Sequence, residues 1–413
     1  MLKNYLKVAV KVLLRRKVFT GISLFAISMT LVVLMLCVAF LDHVFGPMAP
    51  ETRQDRTLVI TNVLMRGDGN TWGSSVGYKL IDTFARDIPG VELLSIASRG
   101  DSVDTYVNND KITSRLKRTD GAFWKLLDFT FLEGRPYTAQ EVDDAQSVAV
   151  ISRAARERFF GDRSALGGRI EVEGRFLQVI GVVENVSPMR DIPSAEIYAP
   201  ITTAKSAAYR DELMGGFMAL ALARTQADIP LIQDEWRSRL KRVELPENYK
   251  VIVAPFETPF EAFARRMPLG DRVDDTSQAW KVQAAFAFVA VLFMLLPTVN
   301  LVNLNMSRIV ERSSEIGVRK AFGASSRTLV GQFIVENIVL TAVGGFIAWV
   351  IAFLLLRAFT ASGVLPYADL QLNARVFGWA LLITLAFGLL SGAYPAWRMS
   401  RLHPAQCLQG GSR

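Results

Sequence analysis

Four stretches of this chain are long and apolar enough to cross a lipid bilayer, and they constrain its fold more than any other feature. A crossing helix takes about 20 apolar residues. The four stretches are Val18–Leu41, Val282–Leu304, Phe333–Leu356 and Val376–Trp397. The long segment between the first two alternates strand-like and helix-like patterns. The sequence therefore predicts a membrane protein with four transmembrane α-helices and a large α+β extracytoplasmic domain of two subdomains, inserted between helices 1 and 2.

The apolar stretches and the charges beside them set the predicted boundaries. From the N-terminus the segments are an amphipathic helix (1–17), transmembrane helix 1 (18–45), the outer core domain (46–280), transmembrane helix 2 (281–306), a charged loop (307–328), transmembrane helix 3 (329–358), a short outer loop (359–374), transmembrane helix 4 (375–397) and a tail (398–413).

Several elements of the outer domain can be predicted from their residue patterns. The predicted strands are Thr57–Val63, Val91–Ser98, Ser147–Ile151 and Tyr249–Phe256; the helices are Tyr78–Ile88, a segment ending at Phe160, and Ile229–Val243; and Arg169–Glu184 is a hairpin turning at Glu173-Gly174.

The distribution of Lys and Arg predicts how the chain crosses the membrane. Residues 1–17 contain six basic and no acidic residues, the 307–328 loop five basic and two acidic, and the tail three basic and none acidic. Short cytoplasmic loops carry an excess of positive charge. Both termini and the 307–328 loop are therefore predicted to be cytoplasmic, and residues 46–280 to lie outside. The net charge of +8 reflects this topology, and no basic patch with interleaved aromatic residues indicates nucleic-acid binding.

Residues that could support catalysis are scarce. The sequence contains no G-x-x-x-x-G-K-[ST] nucleotide-binding loop. Its two histidines, His43 and His403, are predicted on opposite sides of the membrane, so they cannot share a metal ion or a catalytic triad. Its two cysteines, Cys37 and Cys407, lie outside the outer domain, which must therefore be stable without a disulfide. We expect no catalytic, cofactor or metal site on this chain.

The predicted membrane interior contains one ionisable candidate, Glu336. In the apolar pattern it falls in the first turn of the third span, where interfacial placement is favoured over a role as a proton relay. Pro297, inside the second span, is predicted to kink that helix because it leaves a backbone carbonyl without a partner.

The loop between the second and third spans contains the sequence RIVERSSEIGVRKAFGA, Arg308 to Ala324. At 3.6 residues per turn, its charged residues gather on one face of a helix. Those residues are Arg308, Glu311, Arg312, Glu315 and Arg319. Glu315 and Arg319 stand at i,i+4 in the favourable order. Such a helix can dock on a partner, but the residues alone fit a solvated cytoplasmic loop equally well.

Three segments carry a resemblance to a known family. The loop sequence ERSSEIGVRKAFGA and the tail YPAWRMSRLHPAQCL (Tyr394–Leu408) resemble the FtsX-like permease module of ATP-binding-cassette (ABC) transporters. Val150–Asn185 resembles the periplasmic core domain of MacB-type exporters. The similar group is the MacB-like permeases with four spans, called type VII, and the resemblance implies a bacterial inner-membrane protein whose domain 46–280 is periplasmic.

The resemblance implies that the loop is a coupling helix that sits in a groove of an ABC ATPase. The residues it assigns to ATPase coupling are Arg308, Glu311, Arg312, Glu315, Ile316, Gly317, Arg319, Lys320 and Gly323. Gly323 can end this helix, and Ser325 or Ser326 can cap the next one.

The resemblance also implies the partners. MacB carries its ATPase ahead of the first span, where this sequence has seventeen residues, so a separate ABC ATPase subunit is expected. ATP would be bound by that subunit, and this chain would bind no cofactor. A second permease copy, as a homodimer or a heterodimer with a paralogue, is expected, together with membrane lipids and in some systems a periplasmic adaptor and an outer-membrane channel.

The expected function is efflux of a substrate from the periplasmic side by mechanotransmission, in which ATP-driven motion below the membrane rearranges the outer domain. Lipoprotein release from the inner membrane and FtsX-like signalling to a periplasmic partner are the alternatives within the family. A secondary transporter is a remote alternative, because the spans contain few ionisable groups.

Overall fold

The computed structural model describes residues 11, 14–15, 17–107, 110–269, 276–311, 318, 322, 325–367, 370, 378–379, 381–383, 386 and 389. The chain divides into two compact units. The membrane unit consists of Met1–Asp42, Ala284–Ser362 and Leu370–Arg413, and the outer unit consists of His43–Gln283 and Gly363–Asp369.

Three long helices and six short ones are present among the described residues. They are α1 Lys17–Phe45, α2 Tyr78–Phe84, α3 Phe123–Leu126, α4 Ala139–Asp143, α5 Arg153–Phe160, α6 Ile229–Leu240, α7 Pro259–Arg266, α8 Ala279–Glu311 and α9 Ser326–Ala361.

Fourteen strands are described, all in the outer unit. They are β1 Thr57–Ile60, β2 Asn62–Arg66, β3 Thr71–Val76, β4 Val91–Ser98, β5 Asp101–Val107, β6 Asp110–Thr119, β7 Phe131–Gly134, β8 Val148–Ser152, β9 Arg169–Val172, β10 Arg175–Val183, β11 Ile197–Pro200, β12 Met214–Gly215, β13 Phe217–Ala223 and β14 Val251–Val253.

Two of the four predicted spans are helices long and apolar enough to cross a membrane. They are Thr20–Phe45 within α1 and Ile334–Ala361 within α9. The second predicted span lies in α8, where Ala279–Phe293 is apolar, and α8 continues without interruption through Pro297. The fourth lies mostly outside the described residues. Four spans and the kink at Pro297 therefore stay predictions.

The strands of the outer unit form one mixed sheet. Neighbouring strands follow the order β14-β2-β3-β13-β4-β6-β11-β8-β10-β7, with β1 on β13, β12 on β3, β5 on β6 and β9 on β10. The pairs β8–β10 and β6–β11 are parallel, and the remaining described pairs are antiparallel.

Two buried hydrophobic clusters pack on this sheet. The larger surrounds β13, whose seven residues FMALALA are all buried, as expected of a continuous apolar run covered on both faces. Trp236 of α6 and Phe123 of α3 are completely buried in it. The smaller cluster lies around β8 and β10 and includes Phe159 of α5. Because both halves share one sheet, the division into two subdomains stays a prediction.

Several predicted elements are confirmed. Strand β4 has the predicted bounds, Val91–Ser98. The predicted hairpin is the antiparallel pair β9–β10, and its turn residues Glu173 and Gly174 have φ of 53° and 81°. Both values lie in the left-handed region that a tight two-residue hairpin turn requires.

Other elements differ from the predictions. The strand predicted at Thr57–Val63 breaks at Thr61 into β1 and β2. The helix predicted at Tyr78–Ile88 ends at Phe84. The hairpin β5–β6 lies where no element was predicted, because its residues are largely polar and charged.

Glu336 lies in the first turn of the apolar stretch Ile334–Ala361, as predicted, but the helix that contains it begins earlier, so its carboxylate is not at a helix N-terminus. Helix α9 begins at Ser326, so Glu336 lies ten residues further along, about 15 Å along the axis. The early polar residues of α9 belong to the helix, although they read as loop in an apolar pattern. Glu336 is buried, and its Oε1 accepts a hydrogen bond from Gln332 Nε2 at 3.1 Å.

Candidate functional site: the Arg190 junction

The predicted coupling residues fall only partly within the described chain. Arg308 and Glu311 lie in the last turn of α8. The other seven, from Arg312 to Gly323, lie outside the described residues. Ser325 caps α9, accepting a hydrogen bond on Oγ from the Thr328 amide at 3.2 Å, as predicted. The coupling role of the loop stays a prediction.

A buried arginine fixes the point where the chain leaves α1 and enters the outer unit. Arg190 lies in a turn before β11, where its amide donates to the carbonyl of Ser187. Its side chain is 2% exposed. We call this side chain, with Glu51 and the backbone from His43 to Met48, the Arg190 junction.

The guanidinium of Arg190 is satisfied by the chain that follows α1. Its Nε donates to the carbonyl of His43 at 2.9 Å, Nη2 to that of Gly46 at 2.5 Å, and Nη1 to that of Met48 at 3.0 Å. The carbonyls at the end of a helix have no partner within it and carry a partial negative charge. Arg190 therefore caps the end of α1 with both hydrogen bonds and charge.

Glu51 supplies the balancing charge. Its Oε2 lies 3.0 Å from Arg190 Nη1, and its side chain is 8% exposed. Burial raises the pKa of Glu51, although the charge of Arg190 opposes the shift. Taking two charges out of water costs more than the pairing returns unless hydrogen bonds satisfy the remaining donors. Here the three carbonyls do so.

A buried lysine ties the Arg190 turn to the sheet. Lys117 of β6 is completely buried, and its Nζ donates to the carbonyls of Asp191 and Ile192. Burial lowers the pKa of Lys117 to about 7. The pKa of Asp191 is lowered as well: burial opposes this, but the hydrogen bond from Arg115 and the positive charge of Lys117 outweigh it. A continuous set of contacts thus runs from the end of α1 through Arg190 to β6.

The same end of α1 packs on the helix that leads out of the outer unit. The ring of Phe45 lies edge-on to Phe260 and Phe263 of α7, with centroids 5.3 and 4.8 Å apart. Edge-to-face rings of this kind stabilise a contact beyond the area they bury. The incoming and outgoing segments of the outer unit are therefore joined to each other.

The outgoing segment is itself fixed to the sheet. The backbone of Glu257 exchanges two hydrogen bonds with that of Val59 in β1. Its buried carboxylate accepts from Arg265 Nε at 2.8 Å and Nη2 at 2.6 Å. Both donors reach the same oxygen, Oε1, and hydrogen bonds between charged groups are stronger than those between neutral groups. Thr258 and Glu261 form a capping box at the start of α7.

A second anchor holds the chain just after the junction. Arg53 Nη2 donates to the carbonyls of Lys125 and Leu126 in α3, at 2.8 and 2.9 Å. Asp128 accepts from Arg53 and from the hydroxyl of Thr52. These contacts attach the incoming segment to the larger hydrophobic cluster.

Within the membrane unit, α1 approaches α9 closely at one glycine. Ser28 Oγ donates to the carbonyl of Gly344 at 3.1 Å. A Cβ added at Gly344 would lie 2.8 Å from Ile27 Cγ2 and 3.1 Å from its Cβ. Small residues permit such close backbone approach between membrane helices. Ile27 is completely buried in the cluster that these two helices form with Leu31, Leu340 and Ala348.

Sequence reasoning missed the Arg190 junction. Arg190 and Glu51 are single charged residues in mixed loops, and no spacing distinguishes them from the many surface charges of the domain. Across the described residues, no cluster of three or more His, Cys, Asp or Glu side chains could hold a metal ion. The junction therefore offers positioning and attachment, and its groups are satisfied by one another.

Comparison with known families defines the class. The model of the MacB-like periplasmic core domain matches residues 20–239, more than half of the chain. The model of the FtsX-like permease C-terminal region matches residues 287–404. These two modules define an inner-membrane ABC transporter permease with a periplasmic domain. The chain belongs to the MacB/FtsX-like ABC permease family.

Individual relatives agree with this assignment. The macrolide export ATP-binding/permease protein MacB of Bdellovibrio bacteriovorus is 28% identical over 338 residues, which cover 80% of this chain and 49% of that protein. The uncharacterized ABC transporter permease YvrN of Bacillus subtilis is 23% identical over 350 residues, 83% of each protein. This chain spans about half the length of the curated MacB relatives it matches.

Among solved structures, the extracellular domain of the noncanonic ABC-type transporter YknZ from Gram-positive bacteria is 18% identical. It aligns with a TM-score of 0.37 over 47% of this chain and 98% of that domain.

Proposed function

We propose that this chain is the membrane subunit of an ATP-driven export machine, and that it drives efflux of a substrate from the periplasmic side by mechanotransmission. The observation that carries the proposal is the Arg190 junction. It fixes the end of α1 to the sheet of the outer unit through buried hydrogen bonds and a buried ion pair.

In this mechanism, displacement of α1 cannot be absorbed where the helix ends. A shift of His43 and Gly46 relative to Arg190 would leave a buried guanidinium and the Glu51 carboxylate without partners, which costs several kcal/mol, about 3–5. The turn that carries Arg190 and strand β6 therefore move with α1. Because Phe45 packs on α7, the outgoing segment moves with them.

The energy would come from an ABC ATPase on a separate chain, which would bind the ATP. What supports this is the extent of the match with YvrN, a protein named only as a permease, over 83% of both lengths. The ATPase would dock on the 307–328 loop. The charge distribution supports cytoplasmic placement of that loop and both termini.

The remaining partners follow from the same scheme. Two permease copies, as a homodimer or a heterodimer, would stand over two ATPases within the lipid bilayer. A periplasmic adaptor and an outer-membrane channel would carry the substrate onward. Neither the coupling loop nor the Arg190 junction has any role in chemistry here; both transmit force.

The coupling assignment is tested with Glu315→Ala and Arg319→Ala in one chain, reconstituted with its ATPase in lipid nanodiscs. An environment-sensitive fluorophore on Asp162→Cys, an exposed position after α5, reports on the outer domain. We expect ATP hydrolysis to continue while the ATP-dependent fluorescence change is lost.

The matched control is Asp82→Ala with Arg86→Ala, an exposed ion pair between α2 and the turn that follows it in the outer domain. It should behave as the parent does. A normal fluorescence response in the Glu315/Arg319 variant, at normal expression, would remove the coupling role from the loop. Copurification of lipid-modified protein, or of a cell-wall hydrolase with no solute moved, would instead favour lipoprotein release or signalling.

A further inference from the structure

The outer unit contains a second site with a partly buried arginine, Arg99, whose hydrogen-bond partners are neutral. A cleft with a volume of about 660 Å³ opens beside β2 and β3, and Arg99, Arg265 and Arg266 line it. We call it the arginine cleft. No Asp or Glu is among the described residues that line it.

Arg99 is held by neutral groups. Its Nη1 donates to Ser75 Oγ at 3.0 Å and to Asn62 Oδ1 at 3.4 Å. Within the described part of the chain, no carboxylate lies at ion-pair distance from it. Burial lowers the pKa of Arg99, and the positive charge of Arg266 adds to this effect, while the negative charge of Asp191 opposes it. The guanidinium is therefore partly desolvated, oriented, and in a field that favours an added negative charge.

Nearby carboxylates are already engaged elsewhere. Glu257 accepts two hydrogen bonds from Arg265 on one oxygen, Oε1, and both side chains are buried, at 5% and 7% exposure. Asp191 is paired with Arg115 at 2.5 Å. Both carboxylates are therefore held by other arginines, and neither lies at ion-pair distance from Arg99.

The remaining walls of the cleft are mostly apolar. Val63, Leu64, Val253 and Pro255 contribute to them. A cavity with apolar walls and a few oriented polar groups suits a small molecule that has one polar end. Arginine prefers carboxylate and phosphate oxygens because its planar fork matches them.

We propose that the arginine cleft binds an amphiphile with one anionic group, a carboxylate, sulfonate or phosphate, held by Arg99 with its apolar body against Val63 and Val253. The inference rests on the proposed function in one respect: the bound ligand would be the substrate that the protein exports. An amphiphile of the same size with an amine cation is disfavoured, because its positive charge would meet the guanidinium of Arg99.

The cleft also has a path to the moving parts of the unit. Arg265 and Arg266 end α7, the helix on which Phe45 packs. A ligand at Arg99 would therefore lie against the outgoing segment, where displacement of α7 would change the shape of the cleft.

Binding to the full chain in phosphatidylcholine nanodiscs, without the ATPase, tests the site separately from export. The probes are N-dansyl-6-aminohexanoate and its neutral amide, followed by fluorescence polarisation. We expect the carboxylate to bind at least about ten-fold more tightly than the amide, because a hydrogen bond to a charged group is stronger than one to a neutral group. Arg99→Gln should remove that preference, and Arg99→Lys should retain part of it.

The matched control is Arg224→Gln, an exposed arginine outside the cleft, which should bind as the parent does. If Arg99→Gln and Arg224→Gln both keep the full preference for the carboxylate, the site does not exist. Competition by phosphatidylglycerol in the nanodisc, seen in the parent and absent in Arg99→Gln, would identify a lipid headgroup as the source of the anion. If the parent protein binds the carboxylate probe but shows no ATP-driven export when its ATPase is added, the proposed function is contradicted and the binding site in the cleft still stands.

Discussion

Helix α1 is held in two different ways along its length. At its outer end, a buried guanidinium bonds three backbone carbonyls and pairs with Glu51. In its middle, within the membrane unit, it meets α9 through apolar side chains, a close approach at Gly344, and one hydrogen bond from Ser28. The outer contact depends on charge and satisfied polar groups, and the inner contact depends on shape.

The difference matches what each environment makes costly. Breaking a buried polar contact leaves unpaired polar groups, which is costly, so such a contact permits a single relative position of its partners. An apolar contact between helices in lipid is weak and tolerates small adjustment, because lipid tails are as apolar as the side chains they replace. We infer that α1 can shift against its membrane neighbour while its outer end stays fixed to the periplasmic sheet.

The largest effect should follow removal of the arginine of the junction. Arg190→Met leaves Glu51 buried without its partner, and we expect a loss of about 3–5 kcal/mol in the free energy of unfolding. Urea unfolding of the purified chain, followed by tryptophan fluorescence, measures it. Arg224→Met, at an exposed site, should change the midpoint little.

A double variant sharpens this test. Arg190→Met with Glu51→Gln removes both charges and should recover part of the loss.

The pKa of Glu51 is already raised by burial, and losing Arg190 removes a charge that opposes the shift. A carboxyl whose folded-state pKa is raised loses stability as pH rises through that pKa. The Arg190→Met defect should therefore be smaller at pH 5 than at pH 7.5, and equal defects at both would contradict the charge argument.

The membrane contact should show a smaller effect. Gly344→Ala places a methyl group 2.8 Å from Ile27 Cγ2, and overpacking of this kind typically costs about 1–3 kcal/mol. The apparent melting temperature in detergent micelles should fall, and adding Ile27→Ala should restore part of it.

The control lies in the same helix. A Cβ at Gly331 has nothing within 4 Å, so Gly331→Ala should be neutral or gain about 0.5–1 kcal/mol from its better helix propensity. Equal changes in stability from the two substitutions would mean that the contact with Ile27 does not govern position 344.

The sequence was informative where a pattern repeats. The apolar runs of α1 and α9, the strand Val91–Ser98 and the Glu173-Gly174 turn could all be predicted, because each depends on local periodicity or on a turn that needs positive φ. The family could be recognised from the 308–324 loop and the tail, where particular residues recur in a fixed order.

The sites depend on contacts that sequence does not display. Arg190 meets His43 from 147 positions away, and Lys117 meets the Asp191 carbonyl across 74. Nothing in either neighbourhood marks those side chains as buried. Arg99 is held by the neutral side chains of Ser75 and Asn62, and these contacts become visible only once the strands are paired.

The central claim is that the incoming and outgoing segments of the outer domain move as one body. It can be tested by linking Phe45→Cys to Phe263→Cys with a short bifunctional thiol reagent, in a chain with Cys37→Ser and Cys407→Ser. The centroids of the two rings are 4.8 Å apart. With the ATPase present, the linked protein should keep the ATP-dependent response of the outer domain, as should each single cysteine variant. Loss of that response on linking, with recovery when the link is cleaved, would show that the two segments separate during the cycle and would contradict the claim.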